Sequence, residues 1–195
     1  MSKRFPLPSK EFAQELLECD MCYRKIRPQD RQPALERAWK TGQDAARELY
    51  TSTGGNTNFF DLAKQSGVEV IMNDCDQVIG HSRYFSEYQA GKKTITLYLG
   101  SIALWARANA LEQEVAQNLL LAHEYFHFLE TTKLGLTSKQ VLVYIIRLGG
   151  FEFGHTGVRA LSEIAAQAFI HTYFYDVIQA AKERQPALDD SIKEG

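Results

Sequence analysis

Cysteine is scarce: 3 in 195 residues, an odd number. A disulfide framework therefore does not hold this chain together, and a four-cysteine metal site is excluded. Long apolar runs are missing, so no segment reads as a membrane-spanning helix and no membrane partner is expected. An excess of one charge is missing too: 22 Lys and Arg stand against 24 Asp and Glu, a net −2. Without a basic surplus, direct binding to nucleic acid or anionic lipid is not expected. The opening Met-Ser-Lys-Arg-Phe-Pro lacks the apolar core of a signal peptide. The expectation is a cytoplasmic chain in a reducing compartment. What remains is ordinary globular material, 45% apolar and 24% charged, enough to build one core. The length suggests a helical extension over residues 1–41, a main domain over 42–184 and a polar tail over 185–195.

Histidine is also sparse, with 5 in the chain, yet two of them stand in one dense stretch. Residues 119–130 read Leu-Leu-Leu-Ala-His-Glu-Tyr-Phe-His-Phe-Leu-Glu and contain His123-Glu124-x-x-His127. Random placement of 5 His and 15 Glu would produce about 0.01 such patterns per chain, so coincidence is a poor account of it. On a helix, residues four apart differ by about 40° and one turn of rise. Both imidazoles then face one metal ion, with Zn–N of about 2.0–2.1 Å. Glu124 flanks that ion, where it can take a proton from an activated water and return it to a leaving amine. Apolar Leu111, Val115, Leu119, Ala122, Phe126 and Leu129 recur at helical spacing. Asn109-x-x-Glu112 has a capping pattern and Gly135 is a stop. The pattern predicts one helix from about 110 to 133.

Around it the chain reads as α+β. Short helices are expected over 9–19, from Pro33 to about Tyr50, and from Asn56 to Ser66. Val68 to Met72 alternates as a strand, and Asn73 to Asp76 reads as a turn. Residues 77–88 and 93–99 suggest a hairpin, with Thr94 to Leu99 an edge strand beside the metal, able to hold an extended peptide. The sheet is small and mostly antiparallel, packed on a helical bundle that carries the motif. Thr137-x-x-Gln140 opens a predicted helix to Leu148, Phe151 to Gly157 is a loop, and a last helix runs over 158–184. Cys19-x-x-Cys22 has only Cys75 for company and reads as two half-buried small residues.

A catalytic zinc takes three protein ligands and leaves one position open. The metzincin third histidine would fall on Lys133, which excludes that class. Glu152, His155, Glu163 and His171 remain. Glu163 sits within Leu161-Ser-Glu-Ile-Ala-Ala-Gln-Ala-Phe169. A carboxylate among such neighbours is costly unless it is paired or metal-bound. Small alanines would also let its helix come close, so Glu163 is the first choice. Gln167 is a candidate to support a ligating histidine. His155 is a candidate catalytic group for stabilising an oxyanion, against the competing reading of an exposed loop histidine.

The order of elements resembles the ImmA/IrrE-type metallopeptidases over roughly residues 42–175. It rests on the paired short helices, the small sheet, His123-Glu124-x-x-His127, and the later Glu163-x-x-Ala166-x-x-Phe169. The resemblance implies a zincin-like, gluzincin-like domain, with Zn2+ on His123, His127 and Glu163 and with Glu124 as general base. It also implies a protein substrate, a helix-turn-helix transcriptional repressor. Bulky Phe126 and a long 135–157 segment depart from that pattern. They motivate a rival expectation, a catalytically silent metal-binding interaction module. A third expectation, a hydrolase of small amides, would call for a deep closed pocket.

Overall fold

The computed structural model describes residues 6–193. Residues 1–5 of the expected extension and 194–195 of the expected tail lie outside the described residues. The first helix, α1 (Lys10–Cys19), starts where the Ser9 hydroxyl accepts from the Phe12 N–H. Its Ala13 and Leu17, one turn apart, are fully buried. Helix α2 (Pro28–Ser52) has Pro28 in its first turn, where a missing N–H costs nothing. Pro33, expected at that position, lies further inside the same helix. Position 41 also falls inside α2, which runs through it unbroken. Asn58 caps α3 (Phe59–Gln65) by accepting from the N–H groups of Phe60 and Asp61.

Strand β1 (Glu69–Asn73) follows, then a small hairpin of β2 (Gln77–Ile79) and β3 (Ser82–Tyr84). Next come β4 (Ser86–Gln89) and β5 (Thr94–Tyr98). The main sheet has the order β1-β5-β4, with β1 parallel and β4 antiparallel to β5. The sheet is therefore mixed, and the expected 77–88 arm is two separate pieces. All five residues of β5 are buried, so β5 is the centre of the sheet. Its two edge strands are β1 and β4.

The helix expected over 110–133 is present but starts later, at Gln113, and a further helix that the sequence pattern did not predict precedes it. The apolar run Leu99–Ala108 continues directly from β5 as α4, and Asn109 ends it, its side-chain amide donating to the Trp105 carbonyl. That buried amide is a C-terminal cap, not the start of the motif helix. Helix α5 (Gln113–Leu129) carries the motif and is buried along most of its length. It widens into a π turn over Glu130–Leu134 and ends at Gly135.

The helix predicted from Thr137 to Leu148 and the loop predicted from Phe151 to Gly157 are a β-hairpin. After a short 3-10 turn (Thr137–Gln140), β6 (Leu142–Leu148) pairs antiparallel with β7 (Phe151–Gly157). The cause is local. Val143 to Ile146 is aromatic and β-branched, and Gly149 and Gly150 both take positive φ, 57° and 88°, which a two-residue hairpin turn requires. The expected last helix is also divided, into α6 (Arg159–Tyr173) and α7 (Tyr175–Lys193), with a break at Phe174.

The fold is α+β, and α6 is its axle. One face of α6 gives Ala165, Ala166 and Phe169 to a core shared with Phe59, Leu121 and Phe126. The other gives Leu161 and Ile164 to a core with Leu17, Leu35 and Trp39. A Cβ added at Gly42 would lie 2.0 Å from the Ala165 carbonyl oxygen. Helices α2 and α6 thus touch backbone to backbone, a closeness that only glycine permits. Among the described residues, no helix is long and apolar enough to cross a membrane.

Candidate metal centre

The motif helix is held from both ends before it can present a site. Asn118, five residues before the first motif histidine, accepts from the Phe59 N–H and donates to the Thr57 carbonyl, which ties α5 to the start of α3. The Tyr125 hydroxyl lies 2.7 Å from that of Ser66 at the other end of α3. Phe126 is fully buried and packs on Phe169 of α6, ring centroids 5.5 Å apart. This side chain points into the core, where its ring also stands edge-on to that of His127, centroids 6.0 Å apart.

With α5 and α6 so fixed, His123, His127 and Glu163 converge. His123 Nε2 lies 3.3 Å from Glu163 Oε2, and His127 Nε2 lies 3.8 Å from Glu163 Oε1. One ligand atom from each residue falls within 4.8 Å of the other two. Donors about 2.0–2.2 Å from one tetrahedral ion would stand roughly 3.3–3.6 Å apart, so the triad is already close to that spacing. Two imidazoles and a carboxylate are also the right donor chemistry. These three residues could hold a metal ion, and they form the only such group among the described residues. The triad opens to solvent on one side. The Glu163 side chain keeps 41% of its surface, whereas those of His123 and His127 keep 11% and 18%.

The charges around the triad hold one another. Burial opposes ionisation of Glu163, but hydrogen bonds to His123 and His127 outweigh it and keep the carboxyl well below its ordinary range. Burial likewise opposes the His127 cation, yet Glu130 and Glu163 push its pKa up to about 10. An ion bound here would take the place of that proton. Glu130 explains how His127 is aimed. Its carboxylate is 2% exposed and accepts from His127 Nδ1 at 2.9 Å, from the Thr137 N–H at 2.8 Å and from the Ser162 hydroxyl at 2.9 Å. Despite its burial, the bonds to His127 and Thr137 hold this carboxyl low. The proton is thereby fixed on Nδ1 and Nε2 is left to face Glu163, as a supporting carboxylate does in metal sites.

Glu124 is buried beside the triad and accepts from the Ser86 hydroxyl at 2.7 Å. Ser86 and Tyr88 share one face of β4, two residues apart. Tyr88 reaches the Thr131 hydroxyl at 3.3 Å and its ring stands edge-on to Phe128. Edge strand β4 therefore lies along the C-terminal half of α5, with the carboxylate of Glu124 beneath it. Sequence reasoning placed this role on the 94–99 strand, one position too deep in the sheet.

The other candidates lie elsewhere. His155 is exposed on β7, its ring 4.6 Å from that of Tyr144, and is not part of the triad. Glu152 sits opposite Arg147 on the same hairpin, and His171 packs against Trp39 and Tyr175. The Gln167 side-chain oxygen is buried with no hydrogen-bond partner, so the supporting role expected of it belongs to Glu130. Cys19, Cys22 and Cys75 are free thiols. A hollow of about 630 Å3 lies along the N-terminal half of α5, lined by Tyr50, Asn118 and Tyr173 among others, and none of the triad lines it. Glu130 and Ser86 went unread in the sequence. Glu130 had a signal, being a carboxylate directly after Phe128-Leu129 and one turn from His127. Ser86 had none, because its role depends on where β4 lies. No family model, curated protein or solved structure matches the chain.

Proposed function

We propose that this chain is a zinc-dependent peptidase of the ImmA/IrrE kind, zincin-like in fold, that hydrolyses a peptide bond in a protein partner. The observation that carries the proposal is the meeting of His123, His127 and Glu163 with a buried carboxylate, Glu124, one residue from the first ligand. The two imidazoles and the Glu163 carboxylate would hold the zinc. When bound, the ion supplies Lewis acidity to a peptide carbonyl and acidifies a water molecule.

The rest belongs to the chain's own groups. Glu124, steadied by the Ser86 hydroxyl, accepts a proton from the attacking water and passes it to the departing amide nitrogen. Oxygen joins the carbonyl carbon as the C–N bond breaks. Glu130 keeps His127 turned toward the ion throughout. Strand β4 has hydrogen-bonding groups on its outer edge, since β5 pairs with only one side of it. An extended substrate segment can add there as a further strand, passing over Glu124. An open edge of this kind suits a polypeptide better than a small amide. A helix-turn-helix repressor is the partner class that the family resemblance supplies. Phe126 turns inward, which removes one ground for reading the site as catalytically silent.

The test is Glu124→Gln, which keeps every metal ligand. Cleavage of a candidate repressor should fall by about 10²–10⁴-fold, the usual contribution of a general base, with metal content unchanged. Cleavage at the parental rate would defeat the assignment of Glu124. Parental protein that carries zinc and cuts no candidate partner would favour the silent-module reading.

A further inference from the structure

The β6–β7 hairpin has two unlike faces. Side chains alternate between the faces of a strand, and the register sets Leu142 opposite Gly157, Tyr144 opposite His155, Ile146 opposite Phe153 and Leu148 opposite Phe151. These eight positions share one face. Six of them are large and apolar, each between 39% and 74% exposed. None of the eight is Asp, Glu, Lys or Arg. The opposite face meets the body at its base, where Val143 is buried in the core formed with α1, α2 and α6, while Ile145 further along is 51% exposed. The strand is fixed there as well by the Lys25 ammonium donating to the Ile145 carbonyl. One face is anchored at its base, and the other carries the six partly exposed apolar side chains.

The size of the exposed face can be judged. At full side-chain areas of about 150–250 Å2, the six residues leave roughly 700 Å2 in solvent. The largest apolar patch on an ordinary monomer is about 300–600 Å2. Two such faces laid together would remove at most roughly 1,400 Å2 from water, which reaches the range of about 1,200–2,000 Å2 for stable protein pairs. The face also suits itself. Six of its eight positions are large and apolar, so a two-fold rotation about the Ile146–Phe153 pair sets Leu148 and Phe151 of one copy on Tyr144 and His155 of the other and opposes no like charges. A lipid surface is a poorer match, because the face carries no cation and the chain is net −2. A two-stranded hairpin is marginal by itself, and a second copy would complete its missing layer.

We infer that this chain forms a two-fold homodimer through the outer faces of its β6–β7 hairpins. The inference does not depend on the metal site or on the proposed peptidase activity. Sedimentation velocity of the full chain, under reducing conditions from about 1 to about 200 μM, tests it at the concentrations where an interface of this size assembles. The expected result is a reversible monomer–dimer equilibrium that changes little between about 0.1 and 1 M salt, as an uncharged interface requires. Ile146→Asp and Phe153→Asp should each weaken the dimer at least about 30-fold, the level of an interface hot spot. Ile79→Asp, at an exposed apolar position on the β2–β3 hairpin, should leave it unchanged, and all three variants should keep the parental metal content. Leu148→Ser, at the most exposed of the six positions, gives a milder form of the test should an aspartate disturb the hairpin. A chain that stays monomeric throughout overturns the proposal, as does a dimer that survives both aspartates. A monomer whose hairpin instead binds phosphatidylglycerol vesicles overturns it in favour of a lipid surface.

Discussion

Replacing Glu130 with Gln probes the support of the centre without touching a ligand. The parental carboxylate accepts three hydrogen bonds, from His127 Nδ1, the Thr137 N–H and the Ser162 hydroxyl. An amide of the same shape has one accepting oxygen and one donating nitrogen. If the oxygen turns toward His127, the nitrogen confronts the buried Thr137 N–H, and two donors meet. If the nitrogen turns toward His127, Nδ1 must accept, the proton moves to Nε2, and the nitrogen facing Glu163 can no longer ligate. The first arrangement leaves a buried donor unpaired, at a cost of about 1–3 kcal/mol. The second opposes metal binding directly. Glu130→Gln should therefore weaken zinc binding by about 10–100-fold, the usual effect of losing such a support, equivalent to about 1.4–2.7 kcal/mol. Competition against a chromophoric chelator measures the affinity. Thermal unfolding of the metal-free protein should show the loss of stability as a drop of about 2–4 °C for each kcal/mol. A folded variant with parental zinc affinity would refute the orienting role of Glu130.

Further outcomes follow from the packing and the charges. In metal-free protein, the raised pKa of His127 adds stability that is whole below its ordinary 6.5 and fades as pH climbs through about 10. The lowered carboxyls of Glu130 and Glu163 add stability that is whole above 4.5 and fades as acid neutralises them. Melting temperature of the stripped protein should peak in the overlap of those windows, between about pH 4.5 and 6.5. A maximum at pH 9 would contradict this charge arrangement. Gly42→Ala drives a methyl into the Ala165 carbonyl and must part α2 from α6. It should cost about 1–3 kcal/mol in chemical denaturation and lower zinc content, since α6 carries Glu163. A parental denaturation midpoint would show that the two helices can separate freely.

The centre was legible because its chemistry is written in short-range spacing. Two histidines four apart need only a helix to converge, and Glu163 stood out as a carboxylate in an alanine-rich apolar face. Strands β1 and β5 were legible through their alternation and β-branched residues. The errors have physical causes. Thr137-x-x-Gln140 looks like a helix cap but closes one 3-10 turn, after which Gly149-Gly150 and the β-branched run enforce a hairpin. That glycine pair was readable as a turn and outweighs the cap pattern. Helix α4 was hidden because Leu99 continues the β5 pattern without a break, so strand and helix share one apolar run. The Glu130–His127 contact was readable as a pair three residues apart. The bonds from Thr137 and Ser162 that complete it were out of reach, because they depend on the chain beyond the π turn and on α6. Ser86 was out of reach as well, since it meets Glu124 only because edge strand β4 lies along α5.

The central claim is that His123, His127 and Glu163 together hold one ion. Metal analysis of the purified chain and of Glu163→Ala, side by side after identical zinc exposure and desalting, tests it most directly. The expected result is about one zinc per parental chain, the load of a three-ligand site, and little retained by a Glu163→Ala protein that is still folded by circular dichroism. Equal zinc in the two would move the third ligand away from Glu163, and a folded parental chain that retains none would remove the metal centre altogether.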